Sequence, residues 1–213
     1  MSRFLIGLVA LGLISTSGVL AEDLRETFAK SYQYERVQNY NDAIKVLVPV
    51  QEKNYLVNLR LGWLYYLSGN QANAKQCYQA AMQLEPKAIE PQLGYTLPLL
   101  VQERYAEVER VVRGILLKDP HNYTASLRLA FVLRMQLKFD QAYAVNAEMI
   151  ELFPSDVSFL SEQLLSSIGL KNGEAKKWCE TILLLDPENI TAKQVLAGLS
   201  ATPVANGTSK GAK

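Results

Sequence analysis

Four prolines, Pro86, Pro120, Pro154 and Pro187, stand 34, 34 and 33 residues apart, and this spacing constrains the fold more than any other feature of the chain. Proline has no N–H to donate and its ring collides with the preceding turn, so each one stops a helix. Between successive prolines lie two stretches with apolar residues at helical spacing, parted by turn residues such as Gly69-Asn70 and Asn172-Gly173. Each interval therefore holds one helical hairpin. A lone hairpin cannot bury its apolar stripe, whereas a stack of them can, so the period predicts an all-α solenoid with a concave face.

The segment 55–88 shows the unit in full. Counted from Tyr55 as position 1, Leu61 and Gly62 occupy positions 7 and 8, Tyr65 position 11, Ala74 position 20, Tyr78 position 24, Ala81 position 27 and Pro86 position 32. The small residues Gly62, Ala74 and Ala81 sit where paired helices cross and permit close approach. Ala130, Ala142 and Pro154 repeat the pattern from Tyr123, and Leu93, Tyr95, Tyr105 and Pro120 mark the unit that begins at Ile89. An earlier unit runs from Leu24 through Tyr40 to Ile44, with a shortened end before Tyr55. A last one runs from Val157 through Ala175 and Cys179 to Pro187, one residue short near its turn, and a closing helix follows over 189–200.

This pattern resembles the tetratricopeptide repeat (TPR) family. The resemblance covers Leu24 to about Ser200 and implies a right-handed superhelical solenoid of about five helix-turn-helix units with a C-terminal capping helix. The chain departs from the family pattern in two places. Asn58 stands where the family favours tryptophan, with Trp63 further along, and Pro98 lies inside the first helix of the third unit, where a bend near Leu97 is expected.

The chain opens with Arg3, an apolar run from Phe4 to Ile14, small residues, and Val19-Leu20-Ala21, the layout of a secretory signal peptide over residues 1–21. The run is short of the roughly 20 residues of a bilayer span. Cleavage after Ala21 is expected, leaving a solenoid domain over 22–200 in the periplasm or outside the cell. The alternative is an uncleaved N-terminal anchor with the rest of the chain facing outward, the one case that implies membrane contact. Residues 201–213 are small and polar without apolar period and are read as a disordered tail. With 22 basic and 21 acidic residues and no block of like charge, the chain lacks the electrostatic footprint of a nucleic-acid binder. One histidine, His121, and two cysteines, Cys77 and Cys179, are too few for a metal site, and no cofactor is expected. The two cysteines fall in units too far apart for a disulfide and are expected as buried free thiols.

No nucleophile, base and acid occur together in a recognisable motif, nor does a phosphate-cradling glycine loop, so the chain is read as non-enzymatic. TPR proteins are similar to one another in binding peptides along a groove lined by the first helix of each unit. The resemblance therefore implies partner contacts at Phe28, Tyr32, Leu59, Trp63, Tyr66, Leu93, Leu97, Phe131, Arg134 and Met135. The subgroup that clamps a terminal carboxylate carries Lys and Asn there, and this chain carries Leu, Trp and Phe. The expected occupant is an apolar anchor of a protein or peptide. Trp63 is open to two readings, core or groove, and Arg134 to two more, a contact for a partner's acid or aromatic ring and an ordinary surface arginine. The functional expectation is an exported scaffold or adaptor assisting assembly of an envelope complex. The alternatives are self-association and an accessory role in a secretion or polymer-export apparatus.

Overall fold

A computed structural model describes residues 16–201. The expected signal segment, apart from its last six residues, and the expected tail, apart from Ala201, lie outside the described residues. Within them the chain is all-helical, with eleven α-helices, one 3-10 turn and no strand. None of these helices is long and apolar enough to cross a membrane.

The helices gather into two compact units, divided after Leu84. The first contains α1 (Thr16–Arg36), α2 (Tyr40–Leu47), the 3-10 turn Val48–Val50, α3 (Tyr55–Leu67) and α4 (Gln71–Leu84). The second contains α5 (Glu90–Val101), α6 (Tyr105–Leu116), α7 (Tyr123–Met135), α8 (Phe139–Leu152), α9 (Val157–Leu170), α10 (Ala175–Leu185) and α11 (Ile190–Ala201). In each unit neighbours in sequence pack as neighbours in space, α1 with α2 and α3 with α4 in the first, α5 with α6, α7 with α8 and α9 with α10 in the second. The hairpin that precedes Tyr55 is indeed shortened: α2 has eight residues and passes into a 3-10 turn around Pro49. By its place in the period, α11 is a first helix without a second.

The hairpin turns repeat in backbone what the sequence repeats only loosely. Gly69, Glu103, Leu137 and Lys171, each 34 residues from the next, all have positive φ, as does Gln38 in the first hairpin. Around them the N–H groups of Asn39, Asn70, Arg104, Lys138 and Asn172 donate to the carbonyls of Tyr34, Tyr65, Leu99, Leu133 and Ser167. Each is a bond reaching back five residues, which closes the helix end with a left-handed residue. Only Gly69 enters that conformation without steric penalty; a side chain there costs roughly 1–2 kcal/mol, which the packing of each hairpin must offset. Helix starts are secured by side chains. Asn39, Asn54, Asn122 and Asp156 accept from backbone N–H groups two or three residues on, a contribution of about 1 kcal/mol each.

The core of the first unit is Ala43, Leu47, Val57, Leu61, Leu64 and Cys77, with Phe28 and Tyr65 packed against it. At the crossing of α3 and α4, a methyl group on Gly62 would come within 2.7–2.9 Å of the Tyr78 ring, so the small residue is required there. The second unit holds one cluster around Leu99, Val112, Leu129 and Leu133 and another around Leu160, Leu164, Cys179 and Ile182. Cys77 and Cys179 are buried and unbridged. Burial pushes the Cys77 thiol up to about 11, against a lowering by the Gln51 side chain, so it is inert as a nucleophile. Asn58 is tolerated in a buried place because its amide donates to the carbonyls of Gln51 and Asn54 at 3.0 and 2.8 Å and accepts from Gln51 Nε2 at 2.9 Å. The helix α5 continues through the buried Pro98 to Val101, and so near its C-terminus proline forfeits a single backbone bond.

Glu109 on α6 ties this helix to the turn after α7. It accepts from Lys138 Nζ and Gln136 Nε2, both at 2.8 Å, and from Arg113 Nε at 2.9 Å. Burial by itself would raise its carboxyl, but these three donors outweigh burial and hold it down to about 2. A carboxyl depressed by folding contributes stability above its unfolded pKa of roughly 4.3, and that contribution is lost as pH falls from there toward 2. The melting temperature is expected to drop between pH 5 and pH 2. In Glu109→Gln that drop should be smaller, by an amount equivalent to about 2 kcal/mol, as followed by circular dichroism.

Candidate functional site

The first helices of the hairpins present side chains that their own second helices do not cover. In the first unit α1 and α3 enclose a cavity of ≈ 360 Å³ lined by Phe28, Tyr32, Leu56, Leu59, Arg60 and Trp63. Four of the five residues expected there on sequence grounds meet in this one place. The fifth, Tyr66, stands beside it with its ring 5.7 Å from that of Trp63. Trp63 remains 38% exposed and Tyr32 48%, so both rings border the cavity and neither is core.

The floor of the cavity is an ion pair that the sequence reading passed over. Arg60 Nη1 lies 2.7 Å from Glu35 Oε2, and Trp63 Nε1 donates to Glu35 Oε1 at 2.6 Å. The Arg60 guanidinium carbon sits 3.6 Å from the centre of the Tyr32 ring, a cation–π contact. One arginine thus holds Tyr32 by its face and, through Glu35, Trp63 by its indole edge. Aromatic rings fixed in this way lose little freedom when a ligand settles against them.

In the second unit the corresponding cavity, ≈ 380 Å³, is lined by Leu100, Leu127, Arg128, Phe131, Ser158, Ser161 and Glu162. Phe131 lines it directly, as do Leu100, Leu127, Ser158 and Ser161 at other first-helix positions that the resemblance assigns to the groove, whereas Leu93, Leu97, Arg134 and Met135 do not. Leu93 and Phe131 also pack against the core around Leu99 and Leu133, and Phe131 meets Tyr105 edge to face at 6.1 Å; Leu97 is half-buried. Arg134 is no isolated positive charge. Its Nε and Nη2 donate to the two oxygens of Glu162 at 2.7 and 3.0 Å, its guanidinium carbon stands 5.3 Å from the Phe131 ring, and its Nη1 is 3.7 Å from the Met135 sulfur. A forked pair of this kind neutralises the charge and fixes the side chain. Met135 is exposed. Arg128, another residue the sequence reading missed, reaches from α7 to the Leu93 carbonyl and the Thr96 hydroxyl of α5.

One sequence signal was available for these arginines. Arg60 and Arg128 both occupy position 6 of their units, and Glu162 occupies it in the next. All three line a cavity.

A larger cavity, ≈ 520 Å³, lies elsewhere in the first unit, lined by Val48, Gln51, Glu52, Lys53, Asn58, Ala80, Gln83 and Leu84. It contains no aromatic residue and mostly flexible polar chains, so it offers little to an anchor despite its size. Among the described residues, no group of three His, Cys, Asp or Glu side chains gathers as a metal ion would require.

Comparison with known proteins places the fold. No family model matches the chain, and no curated protein matches it. Solved structures do. A tetratricopeptide repeat protein from Parabacteroides merdae superimposes with a TM-score of 0.74 at 15% identity, over 84% of this chain and 72% of that one. MamA 41-end from Desulfovibrio magneticus RS-1 gives 0.67 at 12% identity, over 79% and 98%. YrrB, described as a TPR protein with an unusual peptide-binding site, gives 0.67 at 12% identity, over 85% and 97%.

Proposed function

Since the chain has the tetratricopeptide-repeat fold, we infer that it is a non-catalytic scaffold which holds an apolar segment of another protein against the first helices of its hairpins. The observation that carries this reading is the α1–α3 cavity, where Phe28, Tyr32 and Trp63 face a common space and Arg60 and Glu35 fix two of the three rings. Rigid, partly exposed aromatic rings around a cavity are what a binding hot spot requires. The peptide-binding site described for YrrB lends support by analogy of fold. The N-terminal sequence supports export, with the solenoid acting in the periplasm or outside the cell, in the assembly of an envelope complex.

A photo-crosslinking residue at Leu59, inside the cavity, tests the binding reading, with one at Lys75 on α4 as control. In the native host Leu59 is expected to give a defined adduct that Lys75 does not, and mass spectrometry of that adduct should show a chain beginning at Glu22. Equal, diffuse labelling at both positions would remove the binding reading, and a chain that retains Met1 and remains inside the cell would remove export.

A further inference from the structure

Arg60 enters the α1–α3 cavity with its hydrogen bonding unfinished. Its side chain is 7% exposed and Nη1 is paired with Glu35, yet Nε and Nη2 have no partner. A guanidinium carries five N–H donors and no acceptor, and donors left buried and unmet are unfavourable. Glu35 has both oxygens engaged, one by Arg60 and one by Trp63. The floor of the cavity therefore offers apolar surface and spare donors. The two spare nitrogens are adjacent and share one edge of the guanidinium plane, the edge on which a carboxylate binds with two parallel bonds. Tyr32, half exposed, is stacked on the face of that group and leaves the edge itself unpaired.

We propose that Arg60 reads a carboxylate on the bound partner, an aspartate or glutamate side chain flanked by apolar residues. The acid takes Nε–H and Nη2–H side by side in the guanidinium plane, while the Tyr32 ring keeps its place on the guanidinium face. Its neighbours settle against Leu56 and Trp63, one helical turn to either side of Arg60 on α3. Arg60 lies in the middle of this lining, with apolar surface both before and after it, which fits an acid inside a segment and not a chain terminus. The proposal rests on the reading of this cavity as a peptide-binding site and specifies its ligand.

The test is a random peptide library displayed on phage, fused through the peptide C-terminus so that no terminal carboxylate is free. It is selected against the full chain, Arg60→Met, Arg60→Lys and Trp63→Ala, each first shown to melt cooperatively. Enriched peptides are then measured in acetylated and amidated form beside their Asp→Asn or Glu→Gln counterparts. The wild type should bind the acid at least tenfold more tightly than the amide. Arg60→Met should abolish that ratio. Arg60→Lys should keep part of it, because an ammonium cannot offer two parallel donors, and Trp63→Ala should weaken acid and amide alike. Equal binding of acid and amide, or a preference that survives in Arg60→Met, overturns the proposal and leaves the peptide-binding reading standing. Failure of the wild type to enrich any peptide over Trp63→Ala overturns both. A dimer by light scattering that Arg60→Met dissolves overturns the assignment to a separate partner, since the acid would then come from a second copy.

Discussion

Phe159→Ala is expected to lower the unfolding free energy by about 3–5 kcal/mol, the range for removing a fully buried aromatic side chain. Phe159 is at the start of α9 with no exposed surface. Its ring meets Tyr123 of α7 edge to face at 5.2 Å, Tyr123 in turn meets Phe153 at 5.8 Å, and the Tyr123 hydroxyl donates to Asp156 at 2.9 Å. The three rings and the acid pin the first turn of one hairpin to the first turn of the next, so alanine removes more than its own contact area. Chemical denaturation is the measurement, with Trp178 fluorescence reporting on the second unit. A loss below about 1 kcal/mol would mean that α7 and α9 are not packed through these rings.

Trp63→Ala, which deletes a ring of greater size, is expected to cost less stability and more binding. Over a third of Trp63 is open to solvent, and truncation forfeits its contact with Tyr66 and its bond to Glu35, about 1–2 kcal/mol together. As an anchor in the cavity, its loss should weaken partner binding by about 2 kcal/mol or more, close to thirtyfold. Fluorescence anisotropy with a peptide selected on the wild type reads the second quantity and denaturation the first. The inverse pattern, a large drop in melting with affinity unchanged, would make Trp63 a core residue.

These two aromatic residues show how far the repeat pattern reaches. Trp63 falls at a first-helix position that the resemblance assigns to the groove, and it does border a cavity. Phe131 falls at the equivalent position of the Tyr123 unit and is shared between a cavity and the core around Leu133, because Tyr105 closes over one edge of it. Arg134 looked like a free charge in sequence. Only the approach of Glu162, 28 residues away, shows that its charge is already met. Arg60, which no sequence pattern singled out, is nearly buried with its donors partly unmet.

From the sequence alone follow the all-helical hairpin repeat, its period, the small residues at the crossings and the faces on which the aromatic residues lie. All of these depend on helical geometry and on proline chemistry, which act over a few residues. Which side chains meet across a cavity, and whether a charge there is paired, depends on residues some 25 to 35 positions apart being brought within hydrogen-bonding distance. Glu35 with Arg60 and Trp63, and Arg134 with Glu162, are settled by the packing of one hairpin on the next, and no local pattern carries that information.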